Sequence, residues 1–235
     1  MGYRNIPPIK TIIWPQQSIT QVDLKARETY LSIAHIDELI EDITPIEAEY
    51  INAFKDERRK KESTLARIEL QNLCMQRYGK TLSELNFQKN KMGKPIIDQG
   101  FCGISHSEGF VFTSLSEVDI GIDIERIEQD NIDSLQVAFA EEEWAKIADN
   151  PYLILTNFSI KEAIAKKRGL GFLKDPKSIK LAEGEYITNF IIQEKSNRHF
   201  VLTICHDENF QFSFVKRNKI CKFVTRYEGW YWSAD

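Results

Sequence analysis

Apolar and acidic side chains alternate through Val118-Asp119-Ile120-Gly121-Ile122-Asp123-Ile124-Glu125, which is the period of a β-strand. The parity predicts a strand that buries Ile122 and Ile124 on one face and projects Asp123 and Glu125 together from the other. A second pattern, Phe158 to Lys166, sets Lys161, Glu162 and Lys166 among alanines and isoleucines and predicts a helix. A longer helix is predicted from Arg59 to Tyr78, with Leu65, Ile68, Leu73 and Met75 as its apolar positions and Gly79 as its stop. Thr44-Pro45-Ile46-Glu47 supplies an N-cap, a proline at the first helical position and an early acid, so a helix is expected to start there. A short strand is expected at Thr11-Ile12-Ile13-Trp14, while residues 26–39 read as strand or helix. Residues 93–125 read as strands and turns, and residues 133–148 and 156–168 as helices, the second broken by Gly169-Leu170-Gly171. From Ser178 to Tyr227 the pattern predicts a meander of strands, and no low-complexity linker or residue-level repeat interrupts the chain.

Composition narrows the class. With 235 residues and 42% hydrophobic content the chain can bury one large core or two modest ones, and 14 Phe, 8 Tyr and 4 Trp mark a folded protein. A net charge of -4 gives no basic excess for a nucleic-acid backbone, so any anion site must be local. Cys74, Cys102, Cys205 and Cys221 form no CxxC pair, which fits a reducing compartment. The N-terminal residues lack an apolar core of signal-peptide length and no run approaches a membrane span, so a soluble cytoplasmic protein is expected.

Two carboxylates on one strand face repel unless a cation lies between them. Oxygen-only ligands on rigid elements suit Mg²⁺, with lysines nearby to meet substrate phosphates. The same pattern also fits a solvated sheet face beside an ordinary surface Glu–Lys pair.

Four blocks separate these readings: Gly93-Lys94-Pro95, Ile104-Ser105-His106-Ser107, Gly121-Ile122-Asp123-Ile124-Glu125, and Phe158-Ser159-Ile160-Lys161-Glu162-Ala163 continuing to Lys166. In this order and spacing they resemble the 4′-phosphopantetheinyl transferases, specifically the surfactin-synthetase-activating class whose single chain carries two pseudo-symmetric halves. The resemblance spans roughly residues 55 to 170, and departs from the family where Phe158 stands in place of its usual tryptophan.

The resemblance implies an α+β fold of two pseudo-symmetric halves, residues 1–112 and 113–235, the second carrying the metal site and the cleft between them holding coenzyme A. It implies Asp123, Glu125 and Glu162 as Mg²⁺ ligands, and Ser105 and His106 as contacts to coenzyme A phosphates. Lys94 would lie near the nucleotide, Lys166 and Lys161 near the diphosphate, and Arg59 and Arg67 near the 3′-phosphate. Glu162, Lys166 and Glu143 are the candidate catalytic residues, Glu143 matching loosely a glutamate that helps deprotonate the acceptor serine. The implied reaction is Mg²⁺-dependent transfer of the 4′-phosphopantetheine arm of coenzyme A to a serine of an apo acyl or peptidyl carrier protein. The implied enzyme is a monomer with no nucleic-acid or membrane partner. Two other functions remain open: another Mg²⁺-dependent phosphotransferase, which would not need Ile-Ser-His-Ser, and a non-catalytic coenzyme A or carrier-protein binding module, which would not need all three acids.

Overall fold

A computed structural model describes residues 29–39, 47–128, 132–170, 175–194, 196–207, 212–216 and 221–228. The expected strand at Thr11–Trp14 and the expected helix start at Thr44-Pro45-Ile46 lie outside the described residues. The elements in chain order are β1 (Thr29–His35), α1 (Ala48–Asn52), α2 (Glu57–Tyr78), β2 (Gln88–Lys89), β3 (Pro95–Ile96), β4 (Phe101–Ser107), β5 (Phe110–Ser116) and β6 (Gly121–Ile127). They continue as α3 (Glu141–Ile147), α4 (Pro151–Lys167), β7 (Glu185–Glu194), β8 (His199–Asp207), β9 (Phe212–Lys216) and β10 (Cys221–Glu228).

One sheet has the order β4-β5-β1-β9 and the other β10-β7-β8-β6, with β2 and β3 forming a small ribbon apart. The fold is α+β, antiparallel except where β9 runs parallel to β1. Leu31, Ile33, Phe110 and Phe112 of the first sheet meet Ile122, Ile124, Leu202 and Ile204 of the second in one buried cluster. Each such side chain contributes about 1.5–3 kcal/mol on burial, so this interior anchors β6 by its apolar parity. The outer face of the first sheet is covered by α2, whose Leu70, Leu73 and Cys74 pack on Tyr30 and Leu115. Helix α4 covers the second sheet with Ile160, Ala163 and Ile164 against Ile187 and Cys205. The result is a helix–sheet–sheet–helix stack.

Strands β4 and β6 are edges of different sheets, yet they run side by side. Serine hydroxyls replace ladder carbonyls there: Ile124 N–H donates to Ser105 Oγ at 3.3 Å and Arg126 N–H to Ser107 Oγ at 3.2 Å. The approach needs Gly103, where a Cβ would stand 2.7 Å from Ser114 Oγ and 2.9 Å from Ile122 Cγ1.

Local chemistry explains where the elements depart from expectation. The cap of α1 is Glu47, in a left-handed conformation. Helix α4 begins before Thr156 because Asn150 accepts from the Tyr152 and Leu153 amides and Pro151 opens the first turn. Residues 133–148 are split into a 3-10 stretch over Ile132–Ala138 and the short α3, at whose start Glu143 caps the Ala140 amide. Met75 is exposed on α2 rather than part of its packed face. The boundary expected at 112/113 falls inside β5, which pairs with both β1 and β4 along its length, so the chain changes sheets only between Ser116 and Gly121. Nor is the C-terminal region a plain meander, since β9 leaves β8 to join the first sheet.

Candidate active site

Strand β6 places Asp123 and Glu125 on the face opposite Ile122 and Ile124, and α4 lies over that face because Gly121 permits it. A Cβ at Gly121 would sit 1.8 Å from the Ala163 carbonyl oxygen, so no other residue allows this contact without moving the helix. The close seat brings Glu162 and Lys166, one turn apart on α4, over the strand's carboxylates. These side chains form one end of a cleft of about 270 Å³ that runs past Ser105 and His106 of β4 to Tyr50, Phe54, Arg59, Ser63, Arg67 and Lys89. A second cavity of about 190 Å³, walled by Ile120 and Ile122, shares Gly93, Pro95, Ile104, Glu162 and Lys166 with it.

Asp123 is 1% exposed. Its Oδ1 accepts from Lys166 Nζ at 2.5 Å and from Ser105 Oγ at 2.9 Å, and Lys166 Nζ also donates to Ser105 Oγ at 2.9 Å. Burial weighs against charge on Lys166, but Asp123, then Glu162 and Glu125, outweigh it and raise the ammonium's pKa. Burial, followed by the charge of Asp123, pushes Glu125 up to about 9, with Lys166 only partly offsetting them. Glu162 rises to about 7, again chiefly by burial. The cluster therefore holds more negative groups than its one lysine can neutralise.

Asp123 Oδ2 is buried without a hydrogen-bond partner. An orphaned carboxylate oxygen costs about 1–3 kcal/mol, and a hard cation would satisfy it. Buried oxygen donors whose mutual repulsion a divalent cation would relieve fit Mg²⁺. Among the described residues no three acidic, histidine or cysteine side chains are drawn into a metal-holding group; the Lys166 ammonium occupies Asp123 Oδ1 instead.

The other expected site residues divide by their partners. His106 lines the cleft, its Nδ1 3.0 Å from Glu62 Oε2. Arg59 is exposed there with its guanidinium 4.9 Å from the Phe54 ring. Arg67 also lines the cleft, but its side chain is 4% exposed and its guanidinium is bound to Glu47 at 2.7 Å, which neutralises much of its charge. Two further cations of the basic run are paired locally, Arg58 with Glu108 and Lys60 with Glu57. Ser105 has its proton on Asp123, so the structure gives it an organising role rather than an open phosphate contact.

Three of the expected site residues are held by partners outside the acidic cluster, Lys94 while lining the second cavity. Lys94 Nζ donates to both oxygens of Asp119, at 2.7 and 2.8 Å, and to the Lys167 carbonyl at 2.5 Å. All three protons of its ammonium are thereby used in clasping the Gly93–Pro95 turn to α4 and the β5–β6 connection. Lys161 is 4% exposed, binds the Pro176 and Ile179 carbonyls, and pairs with Glu143 at 3.0 Å. Neither Lys161 nor Glu143 lines the cleft, because consecutive helical residues point about 100° apart and Glu162 takes the cleft side. Glu143 also caps α3, so its carboxylate is committed twice.

Sequence reasoning missed Lys89, whose Nζ lies 4.0 Å from the Tyr50 ring centroid, and the aromatic wall of Tyr50 and Phe54. The four-residue spacing of Tyr50 and Phe54 beside the Lys55–Lys61 run was the available signal.

Residues 119–215, from the start of the acidic strand to β9, match the family model of the 4′-phosphopantetheinyl transferase superfamily. Over 131 residues the chain is 31% identical to the 4′-phosphopantetheinyl transferase gsp of Aneurinibacillus migulanus, an alignment covering 53% of this chain and 54% of that protein. The chain thus matches about half the length of this curated relative. The superfamily match contains Asp123, Glu125, Glu162 and Lys166, while Arg59, Lys89, Ser105 and His106 precede it and join the site through the fold.

Proposed function

We propose that the protein transfers the 4′-phosphopantetheine arm of coenzyme A to the serine of an apo acyl or peptidyl carrier protein. The observation that carries this reading is a single cleft with an acidic cluster and Lys166 at one end and cations over aromatic rings at the other. A nucleotide ester with a diphosphate matches that polarity. Arg59 and Lys89 suit its remote phosphate, and the rings of Tyr50 and Phe54 supply apolar surface beside them. Asp123, Glu125 and Glu162 would hold Mg²⁺, which supplies charge neutralisation for the phosphate oxygens.

Lys166 keeps its proton against burial and presents a fixed positive charge to the diphosphate. The carrier serine's oxygen attacks the phosphorus bearing the pantetheine arm, the bond to the bridging oxygen breaks, and 3′,5′-ADP leaves. The serine proton passes to a carboxylate at this end of the cleft. We further propose that two halves related by pseudo-symmetry meet at β4 and β6, and that the enzyme works as a cytoplasmic monomer without nucleic-acid or membrane partners. The helix–sheet–sheet–helix stack supports the first of these; among the described residues no helix is long and apolar enough to cross a membrane.

The test is incubation with coenzyme A, Mg²⁺ and a panel of apo carriers, read by intact mass. One added phosphopantetheine arm is expected on at least one carrier, and Asp123→Ala should lose the transfer. Removing Asp123 also removes the charge that raises the Glu125 carboxyl, so Glu125 can ionise and serve Lys166 as a counter-charge, which limits the stability cost. A panel that stays unmodified while the protein binds coenzyme A would instead favour a binding module.

A further inference from the structure

We propose that Glu62 is a positioning residue for substrate binding: it holds the His106 imidazole so that Nε2 faces the anion that enters the cleft. The proposal rests on the functional reading above for the identity of that anion. Glu62 lies on α2 and is 3% exposed, outside the basic residues that line the cleft. Its two oxygens serve two elements: Oε1 accepts the Gly109 amide at 2.7 Å in the β4–β5 turn, and Oε2 stands 3.0 Å from His106 Nδ1 on β4. One buried carboxylate therefore ties a helix to a hairpin and fixes a ring on that hairpin. Burial opposes its charge, but His106, the Gly109 amide and Arg58 together hold Glu62 below the ordinary carboxylate range, so it is an anion at neutral pH.

An anionic acceptor at Nδ1 demands a proton there. Neutral imidazole would then offer Nε2 only as an acceptor, whereas the imidazolium offers Nε2–H as a donor. With Glu62 on one side and a phosphate on the other, the ring meets an anion at each edge, and a donor at each nitrogen serves both contacts. This is the geometry by which a buried carboxylate orients a histidine toward a ligand. His106 is 28% exposed at its side chain, so the cleft edge of the ring is reachable.

Glu62→Gln separates the two duties. Its carbonyl can keep the Gly109 amide, so the hairpin stays clamped, while its NH₂ turns the atom facing Nδ1 from acceptor to donor and disfavours the imidazolium. Replacing a charge-assisted phosphate contact by a neutral one should raise the KM for coenzyme A about fivefold, with kcat nearly unchanged. The same substitution made in a His106→Ala background should leave the KM of that background unchanged. Nitrogen-15 spectra of the ring should show both nitrogens protonated in the parent with coenzyme A bound, and a neutral tautomer in Glu62→Gln. Equal KM effects in the two backgrounds, or an unchanged KM and ring spectrum in Glu62→Gln, would overturn the proposal and assign Glu62 to the hairpin alone. A parent that binds no coenzyme A would instead defeat the functional reading; the ring spectra of the free protein would still decide whether Glu62 sets the tautomer.

Discussion

Glu125→Gln is expected to stabilise the metal-free protein at neutral pH. Burial and the charge of Asp123 hold the native Glu125 carboxyl near 9, against an ordinary 4.5. Between those values the folded state binds more protons than the unfolded one, so stability falls as pH rises through that window. At pH ~7.5 the folded chain has been penalised over about three pH units, an upper bound of about 4 kcal/mol at 1.36 kcal/mol per unit. The Glu125 side chain is half-buried rather than enclosed, and its titration is shared with Asp123 and Glu162, so solvent screening and coupling reduce this to about 1–2 kcal/mol. For a chain of this length that corresponds to a Tm gain of roughly 2–8 °C. Thermal unfolding in chelator should show the gain at pH ~7.5 and its disappearance near pH ~4, where both states are protonated. Mg²⁺ with coenzyme A should stabilise the parent more than the variant, because the parent has one more ligand to offer. A variant no more stable than the parent at pH ~7.5 in chelator would refute the claim that Glu125 is held protonated by its neighbours.

Gly121→Ala should destabilise the protein by about 3 kcal/mol, measured by denaturant unfolding, because its methyl would push α4 off β6 at the Ala163 carbonyl. Arg59→Glu should raise the KM for coenzyme A more than it lowers kcat, with dephospho-coenzyme A less affected, since a remote phosphate contributes mainly uniform binding; equal losses for both ligands would refute the assignment. Burial works against charge on Glu185, but Arg168, the Ala182 amide and Lys167 overcome it and hold the carboxyl near 2. Glu185→Gln should therefore lower Tm above pH ~4.5, and the deficit should fade as pH falls toward ~2, where the parent carboxylate also protonates.

What the sequence determined by itself lies in short-range periodicity. The alternation at Ile122-Asp123-Ile124-Glu125 states which side chains share a face, because parity along a strand needs no knowledge of the partner strand. The end of α2 at Gly79 was legible for the same local reason, as its left-handed cap satisfies the last turn. The motifs also placed Glu162 and Lys166 one helical turn apart, which is a property of α-helix geometry alone.

The choice among competing partners was decided only in three dimensions. Lys94 and Lys161 look like phosphate ligands in sequence, yet each meets a carboxylate and carbonyls brought from distant segments, and those contacts consume its donors. Arg59 and Arg67 are equivalent in composition, but Glu47 folds back onto Arg67 and leaves Arg59 facing the cleft without an acidic partner among the described residues. The same holds for β9, whose apolar pattern fits either sheet and whose place beside β1 depends on a pairing across most of the chain. Charges act through space and hydrogen bonds saturate, so which lysine or arginine remains available follows from the neighbours that tertiary packing supplies.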